Sequence, residues 1–140
     1  MNQGEIFTAF LIDLQRIFRK EVVPKDLSYS QVLAIIIIPD DGIEMSELAR
    51  TLGLENSTVT RLIARLEQNN YVKREKSAID KRSIKVFLTI KGNSLQNDIE
   101  RKIDSIGDEI FLKNNQVEKD LFLENLSLFQ WSLKKTFLKK

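Results

Sequence analysis

The sequence predicts a mainly α-helical protein that carries one small β-hairpin. Apolar residues recur every three to four positions through most of the 140-residue chain, which is the spacing of amphipathic helices. Between positions 71 and 89 the pattern changes to alternation, which is typical of paired strands. The chain is 42% hydrophobic and 30% charged, so we expect one domain with a substantial core over residues 1–140.

The composition excludes several kinds of chemistry. The chain has no cysteine and no histidine, which rules out disulfides, thiolate nucleophiles and triads that need a histidine base. The adjacent Asp40 and Asp41 and the scattered helix acids form no recognisable carboxylate dyad, and the sequence has no glycine-rich phosphate loop. We therefore expect a protein that is not an enzyme and that needs no cofactor and no metal.

The sequence also predicts where the protein works. Its N-terminal segment lacks the basic region of a signal peptide. The longest apolar run, from Val32 to Ile38, has seven residues and is far too short to span a membrane. We expect a cytoplasmic protein that has no membrane partner.

Two helices are predicted in the N-terminal part of the chain. Apolar positions at helical spacing predict a helix over residues 5–22, which Pro24 ends. Ser28 and Gln31 match a capping box, so the apolar run after them predicts a short buried helix. Its isoleucines would also suit a strand. A turn is predicted at residues 39–42.

Next come two helices joined by a short turn. The first covers about residues 45–52 and ends at Gly53, which suits the left-handed conformation that often follows a helix. The second begins near Asn56, with Glu55 or Asn56 as its cap, and ends at Asn69-Asn70. Its inward face is predicted to carry Val59, Leu62, Ile63 and Leu66. The opposite face carries small polar and basic residues.

The hairpin follows that second helix. Tyr71–Glu75 and Ser83–Thr89 are predicted strands, and the loop between them, residues 76–82, carries Asp80 and Arg82. Thr89 is then predicted to cap a long helix, which ends near Asn114. A last helix is predicted from about residue 116.

Charge is concentrated around the second helix and the hairpin. Residues 56–91 hold nine Lys or Arg and three Asp or Glu, a net charge of +6. The rest of the chain holds 13 basic and 17 acidic residues, a net charge of −4. A basic segment within an acidic chain is typical of nucleic-acid binding, although a solvated basic surface would give the same count.

Two helices and a basic hairpin form a winged helix-turn-helix, which predicts double-stranded DNA as a partner. The second helix can lie in the major groove while the hairpin loop enters the neighbouring minor groove. The predicted DNA contacts are Asn56, Ser57, Thr58, Thr60, Arg61, Arg65, Lys73, Lys81 and Arg82. Asp80 is predicted to orient the guanidinium of Arg82 through charge-assisted hydrogen bonds. The alternative function is a winged-helix protein–protein interaction module without specific DNA binding.

The sequence resembles the MarR family of bacterial transcriptional regulators. The resemblance is carried by MSELARTLGLENSTVTRLIARLEQNNYVKRE and by DKRSIKVFLTIKG, which is similar to the family's Asp-x-Arg wing signature ending in Leu-Thr-x-x-Gly. The order of two helices before and two long helices after also fits. The sequence departs from the family in having Asn70 where glycine is usual, and Ala78-Ile79 where a proline is frequent. The lack of cysteine excludes the family's thiol-oxidation mechanism.

The resemblance implies a homodimeric repressor that binds a pseudo-palindromic operator. Residues 57–65 would belong to the recognition helix, and Asp80 and Arg82 would form the wing pair. It also implies a pocket for a small aromatic or phenolic effector between the dimer helices and the winged region. Candidate effector contacts are Phe10, Arg16, Tyr29 and Ile36, each of which would also suit an ordinary core or surface position.

The terminal helices are predicted to form the dimer. Residues 28–92 make the DNA-binding region, and residues 1–24 and 93–140 make dimerisation helices whose apolar stripes are too wide for one chain to cover. Two-fold pairing would match the symmetry of an operator. The predicted interface residues are Phe7, Phe10, Leu126, Phe129, Leu133 and Phe137. The alternative is that these helices pack only on each other.

Overall fold

The structure is a computed structural model, and it describes residues 1–80 and 82–138. The predicted class, mainly α with a small β-hairpin, is confirmed. The elements in chain order are α1 (Gln3–Glu21), α2 (Tyr29–Ile37), β1 (Ile43–Glu44), α3 (Met45–Leu52), α4 (Asn56–Gln68), β2 (Val72–Lys76), β3 (Ile84–Leu88), α5 (Ile90–Ile110) and α6 (Gln116–Phe137). Among the described residues, no helix combines the length and the apolar content that a membrane span requires.

Side-chain caps separate the helices into two groups. Helices α1, α2 and α6 each begin at a complete capping box. In α2, Ser28 Oγ accepts the N–H of Gln31 at 3.1 Å, and Gln31 Oε1 accepts the N–H of Ser28 at 2.8 Å. The predicted box therefore starts a helix, and the apolar run is not a strand. The N-cap residues of α3 and α4 are Glu44 and Glu55, and their side chains make no capping hydrogen bond.

The sheet has three antiparallel strands in the order β1-β3-β2. Strands β2 and β3 form the predicted hairpin, with Val72 opposite Leu88 and Lys76 opposite Ile84. Strand β1 was not predicted; it has only two residues and pairs Ile43 with Val86. A strand of this length gives no alternation to detect.

The chain divides into two compact units, Met1–Ile103 and Asp104–Lys140, and the boundary falls within α5. The first unit contains the buried apolar core, to which α2, α3, α4 and the sheet all contribute. Its fully buried large side chains are Val22, Val32, Ile35, Ile38, Leu48, Val59, Ile63, Leu66, Val72, Val86 and Ile99. In the second unit, the rings of Phe111 and Phe122 pack edge to face with centroids 5.2 Å apart.

The start of α5 is fastened to the segment that joins α4 to β2. Thr89 N donates to Tyr71 O at 3.0 Å, and Thr89 Oγ1 donates to Asn70 O at 2.6 Å and accepts from Gly92 N at 3.0 Å. Asn70 has the positive φ expected after a helix, at 65°. A Cβ atom on Gly92 would lie 2.0 Å from Tyr71 O. The Thr-x-x-Gly spacing is therefore required by this close approach of two backbones.

Side chains from α5 also cover the carbonyl ends of two other helices. Gln96 Nε2 donates to Ile35 O and Ile38 O, at 2.9 Å each, at the end of α2. Lys91 Nζ donates to Asn69 O at 2.8 Å at the end of α4. The last carbonyl groups of a helix have no partner within it, so these bonds satisfy them, in a part-buried position at the end of α2 and in an exposed one at Asn69. Helix α5 thus ties α2 and α4 into one unit.

The two glycines of α5 should respond oppositely to alanine. Gly92→Ala is expected to lower the free energy of unfolding by about 1–3 kcal/mol, because the added methyl group meets the Tyr71 carbonyl. Gly107→Ala meets nothing within 4 Å and should be neutral or raise stability by up to about 1 kcal/mol. Urea unfolding followed by circular dichroism measures both changes. Equal stability of the two variants would contradict the close approach at Gly92.

Candidate nucleic-acid interface

Helix α4 has one buried face and one exposed face. The predicted inward residues are all buried: Val59, Leu62, Ile63 and Leu66. On the other side, the exposed predicted contacts are Asn56, Ser57, Thr60, Arg61 and Arg65, and Thr58 is half-buried. The hydroxyl of Thr60 already donates to Asn56 O at 2.8 Å, so it presents an acceptor to an outside group. The exposed face is therefore short, polar and basic.

A groove lies between the N-terminal ends of α3 and α4 and the hairpin. Its volume is about 250 Å³. Three predicted DNA contacts line it, namely Asn56, Thr60 and Arg82, and Arg74 lies beside them. The structure thus brings the start of the second helix and the hairpin loop to one place, as the winged arrangement requires. Lys81 lies outside the described residues.

The role predicted for Asp80 needs a correction. Its Oδ1 accepts the backbone N–H of Arg82 at 3.0 Å, and its Oδ2 accepts the hydroxyl of Ser83 at 3.4 Å. Within residues 1–80 and 82–138, no ion pair joins Asp80 to the guanidinium of Arg82. A short aspartate side chain in a turn reaches the backbone amide two residues on more readily than the end of a long side chain. Asp80 therefore orders the loop backbone, and the Arg82 side chain is exposed.

Lys73 does not share the groove with the other predicted contacts. Successive side chains of a strand point to opposite faces, so Lys73 lies on the other face of β2 from Arg74. There it pairs with Glu75 at 3.2 Å and lies over the ring of Phe87, 5.7 Å from its centroid. Lys85 approaches the same ring at 5.5 Å. A role for Lys73 in DNA binding would thus involve a different surface of the hairpin.

An ion pair that the sequence analysis missed connects α4 to β2. Glu67 Oε1 accepts from Arg74 Nη2 at 2.9 Å and from Nε at 3.2 Å, and its Oε2 accepts the backbone N–H of Arg74 at 3.0 Å. The Arg74 side chain, and then its backbone amide, hold the pKa of Glu67 below its ordinary value. A two-pronged contact of this kind fixes orientation as well as distance. No periodicity signals it, because the two residues lie in different elements.

Comparisons with known proteins agree with this geometry. A family model described as "MarR family" matches residues 27–84, which include α2, both helices of the helix-turn-helix and the hairpin loop. Over these 58 residues the chain is similar to the MarR family, and curated relatives of the chain are named HTH-type transcriptional regulators. The family is one of regulators and not of enzymes.

Two curated relatives, both named HTH-type transcriptional regulators, show how far the likeness extends. The transcriptional regulator TtmR of Methylorubrum extorquens is 29% identical over 93 residues, which are 66% of this chain but only 48% of TtmR. The chain thus spans about half the length of that relative. The regulator MgrA of Staphylococcus aureus is 27% identical over 108 residues, which are 76% of this chain and 74% of MgrA.

A solved structure shows that the fold is shared over nearly the whole chain. Streptococcus pneumoniae FabT, in a structure described as a complex with DNA, superposes with a TM-score of 0.77 at 22% identity. The match covers 97% of this chain and 96% of that one. The predicted winged helix-turn-helix fold, with helices on both sides of it, is confirmed.

The residues predicted for the dimer interface lie on α1 and α6. Neither helix contains a buried residue. The six side chains keep between 38% and 77% of their surface exposed: Phe7, Phe10, Leu126, Phe129, Leu133 and Phe137. A single copy of the chain therefore leaves much of this apolar surface in water.

The residues predicted for an effector site are less closely grouped. Arg16 lies in an open groove on α1 together with Arg19 and Lys20, and it pairs with Asp13 at 3.1 Å. The guanidinium of Arg19 lies over the ring of Tyr29, 4.8 Å from its centroid. Arg16 and Tyr29 thus share Arg19 as a neighbour. Phe10 is exposed and Ile36 is half-buried.

The Glu67–Arg74 pair should stabilise the protein in a pH-dependent way. A carboxyl group whose pKa is lowered by folding contributes stability above its ordinary value of 4.5 and loses it as the pH falls through the pKa of the folded state. Glu67→Gln is therefore expected to lower the free energy of unfolding at neutral pH by on the order of 0.5 kcal/mol, since both side chains are partly exposed to solvent.

That difference between wild type and Glu67→Gln should be full above about pH 5 and should vanish in acid. Urea unfolding at a series of pH values from about 7 to about 3 measures it. Glu75→Gln, which breaks an exposed pair within β2, is the control and should change stability less. A difference for Glu67→Gln that does not vary with pH would show that this carboxylate is not the stabilising group.

Proposed function

We propose that this chain is a sequence-specific DNA-binding repressor that acts as a homodimer in the cytoplasm. In the proposal α4 lies in the major groove, and the loop of residues 76–83 lies in the adjacent minor groove. The observation that carries it is the convergence of the exposed start of α4 and Arg82 on one groove. The match of residues 27–84 to the MarR family model and the likeness to FabT in complex with DNA support it.

The exposed face of α4 suits the major groove. That groove is about 12 Å wide and admits one α-helix, whose first residues come nearest to the base edges. Asn56 and Ser57 are short, so they allow close approach. Arg61 and Arg65 lie one turn apart on the same face, where they can reach phosphates or guanine edges.

The loop suits the minor groove. Asp80 accepts the backbone N–H of Arg82 and, among the residues that the structure describes, leaves the Arg82 guanidinium without an ion pair to it. A narrow, A·T-rich minor groove has an enhanced negative potential that attracts an arginine. We assign Arg82 this contact, and Lys81 and Lys73 the role of supporting phosphate contacts.

Helices at the two ends of the chain supply the dimer. We propose that residues 1–24 and 93–140 are dimerisation helices around a DNA-binding region of residues 28–92. Apolar surface on this scale usually marks an interface. A two-fold dimer presents two copies of α4 to a pseudo-palindromic operator. We assign repression because a dimer that covers two successive grooves would exclude other DNA-binding proteins from the same site.

A small effector would regulate this binding. We propose an aromatic or phenolic acid, with Phe10, Arg16, Tyr29 and Ile36 as the residues that contact it. The basic groove around Arg16 and Arg19 supports an anionic ligand. Adding such acids to the DNA titration below tests whether they release the protein.

Arg82→Ala is expected to weaken operator binding by about 1–3 kcal/mol and to relax the preference for A·T flanks. The operator is obtained by in-vitro selection with purified protein, and fluorescence anisotropy at several salt concentrations gives the affinity. Binding by wild type should fall steeply with salt, because phosphate contacts release counterions.

Lys113→Ala is the matched control for Arg82→Ala, because it removes an exposed cation from the second unit. It should bind as wild type does. Unchanged affinity and flank preference in Arg82→Ala would remove the wing from the mechanism. Selection that yields no enriched sequence would favour the protein–protein interaction module instead.

The double variant Leu126→Asp, Leu133→Asp is expected to dissociate the dimer, because it places two charges in an apolar interface. Sedimentation should show wild type at the mass of two 16.2 kDa chains and the variant at the mass of one. Ile90→Asp makes the same kind of change at a position that is 91% exposed, and it should stay dimeric. A monomeric wild type would overturn the assignment of the dimer.

A further inference from the structure

We propose that the Glu67–Arg74 pair is a clamp that sets the position of the wing relative to the recognition helix, and so determines how well the wing reads DNA. The inference rests on the proposed function, because it concerns reading two grooves at once. Glu67 and Arg74 act in it as positioning residues. Neither needs to touch a base.

The clamp joins the two elements that the proposal assigns to different grooves. Glu67 lies in the last turn of α4, and Arg74 is the middle residue of β2. Three hydrogen bonds of 2.9–3.2 Å connect them, one to the backbone and two to the guanidinium. Both carboxylate oxygens are used, so the strand can neither slide along the helix nor rotate about it without breaking a bond.

The position of β2 is transmitted to the loop through the sheet. Arg74 lies opposite Val86 on β3, and the pairing continues to Lys76 and Ile84 at the base of the loop. The loop is closed by Ser77 N donating to Ser83 O at 2.9 Å and by Asp80. From the clamp to Arg82 the described backbone is thus held by successive hydrogen bonds.

The clamp also controls the charge in the groove. Arg74 lines the same groove as Arg82, Asn56 and Thr60. Because Glu67 neutralises and holds Arg74, that guanidinium does not compete with Arg82 for the same phosphates. A clamp variant is therefore expected to give the wing a second, less ordered cation, which favours binding without favouring discrimination.

A second ion pair on the same strand provides a matched control. Lys73 and Glu75 form a contact of 3.2 Å, and both side chains are more than half exposed. Both residues belong to β2, so this pair cannot connect the strand to α4. Glu67→Gln and Glu75→Gln each remove one negative charge beside β2, on its two opposite faces, so the change in net charge is common to both.

The experiment measures two discrimination ratios for the full-length protein. The flank ratio is the affinity for the selected operator divided by the affinity for an operator whose A·T flanks are replaced by G·C. The core ratio is the affinity for the selected operator divided by the affinity for an operator with one changed base pair in the half-site. We expect Glu67→Gln and Arg74→Lys to lower the flank ratio about fivefold and to leave the core ratio within about twofold. Glu75→Gln should leave both ratios unchanged.

Two further measurements separate positioning from other effects. Arg74→Lys keeps the positive charge but cannot make the two-pronged contact with Glu67, so it separates loss of positioning from loss of a cation. The double variant Glu67→Gln, Arg82→Ala should have the flank ratio of Arg82→Ala alone, because an absent arginine cannot be misplaced. Circular dichroism confirms that each variant is folded under the binding conditions.

Each outcome has a definite meaning. If folded Glu67→Gln keeps the wild-type flank ratio, or loses both ratios equally, the clamp does not position the wing. If Glu67→Gln and Glu75→Gln raise affinity by the same factor with no change in ratios, only charge matters and the proposal is wrong. If wild type itself shows no core or flank discrimination, the proposed function fails, and not this inference alone.

Discussion

The carbonyl oxygen of Tyr71 lies where α4, the β2–β3 hairpin and the long helix α5 meet. It follows the left-handed residue Asn70, precedes β2, and accepts the N–H of Thr89 at 3.0 Å. Gly92 lies so close to this oxygen that a residue with a Cβ atom would clash with it. Because this part-buried carbonyl is paired by Thr89, the residue just before α5, and lies against Gly92, the end of α4 and the start of α5 cannot move independently. The polar face of α4 is therefore presented from a fixed frame.

Within the described residues, two acidic side chains near Tyr71 and the hairpin, Glu67 and Asp80, do not pair with the exposed arginines of α4 and the loop. Glu67 is occupied by Arg74, and Asp80 by the loop backbone. In the described part of the chain, no ion pair involves Arg61, Arg65 or Arg82. The net charge of +6 over residues 56–91 is thus not spread evenly. It is available on the exposed face of α4 and at the loop, where phosphates would approach.

Local patterns predicted most of the elements, because they depend on neighbours in sequence. The Ser28–Gln31 capping box predicted α2, and the two predicted strands agree with β2 and β3 to within one residue. Contacts across longer separations were missed. Gln96 bonds to carbonyl groups about 60 positions earlier, and nothing in its own neighbourhood signals that role. The same holds for Glu67 and Arg74, since a helix–turn–strand path does not fix which side chains meet.

The sequence predicted which residues of α4 are exposed, but it did not predict the hydrogen bond that Asp80 makes. The exposure of Asn56, Ser57, Arg61 and Arg65 follows from the periodicity of α4 alone. The partner of Asp80 depends on the backbone path of a turn, which spacing in sequence does not determine. An i, i+2 separation is compatible with a bond to the side chain or to the amide, and the turn selects the amide.

In the proposed mechanism, charge supplies affinity and rigid spacing supplies discrimination. Phosphate contacts by lysine and arginine bind any sequence, and they do so whether or not the two reading elements are held at a fixed distance. Reading two grooves together gains from rigidity, because the second contact then forms within an already bound complex at a high effective concentration. The clamp would provide this within one copy, and the terminal helices would provide it between two copies. Loosening either link should therefore reduce sequence preference before it reduces binding to bulk DNA.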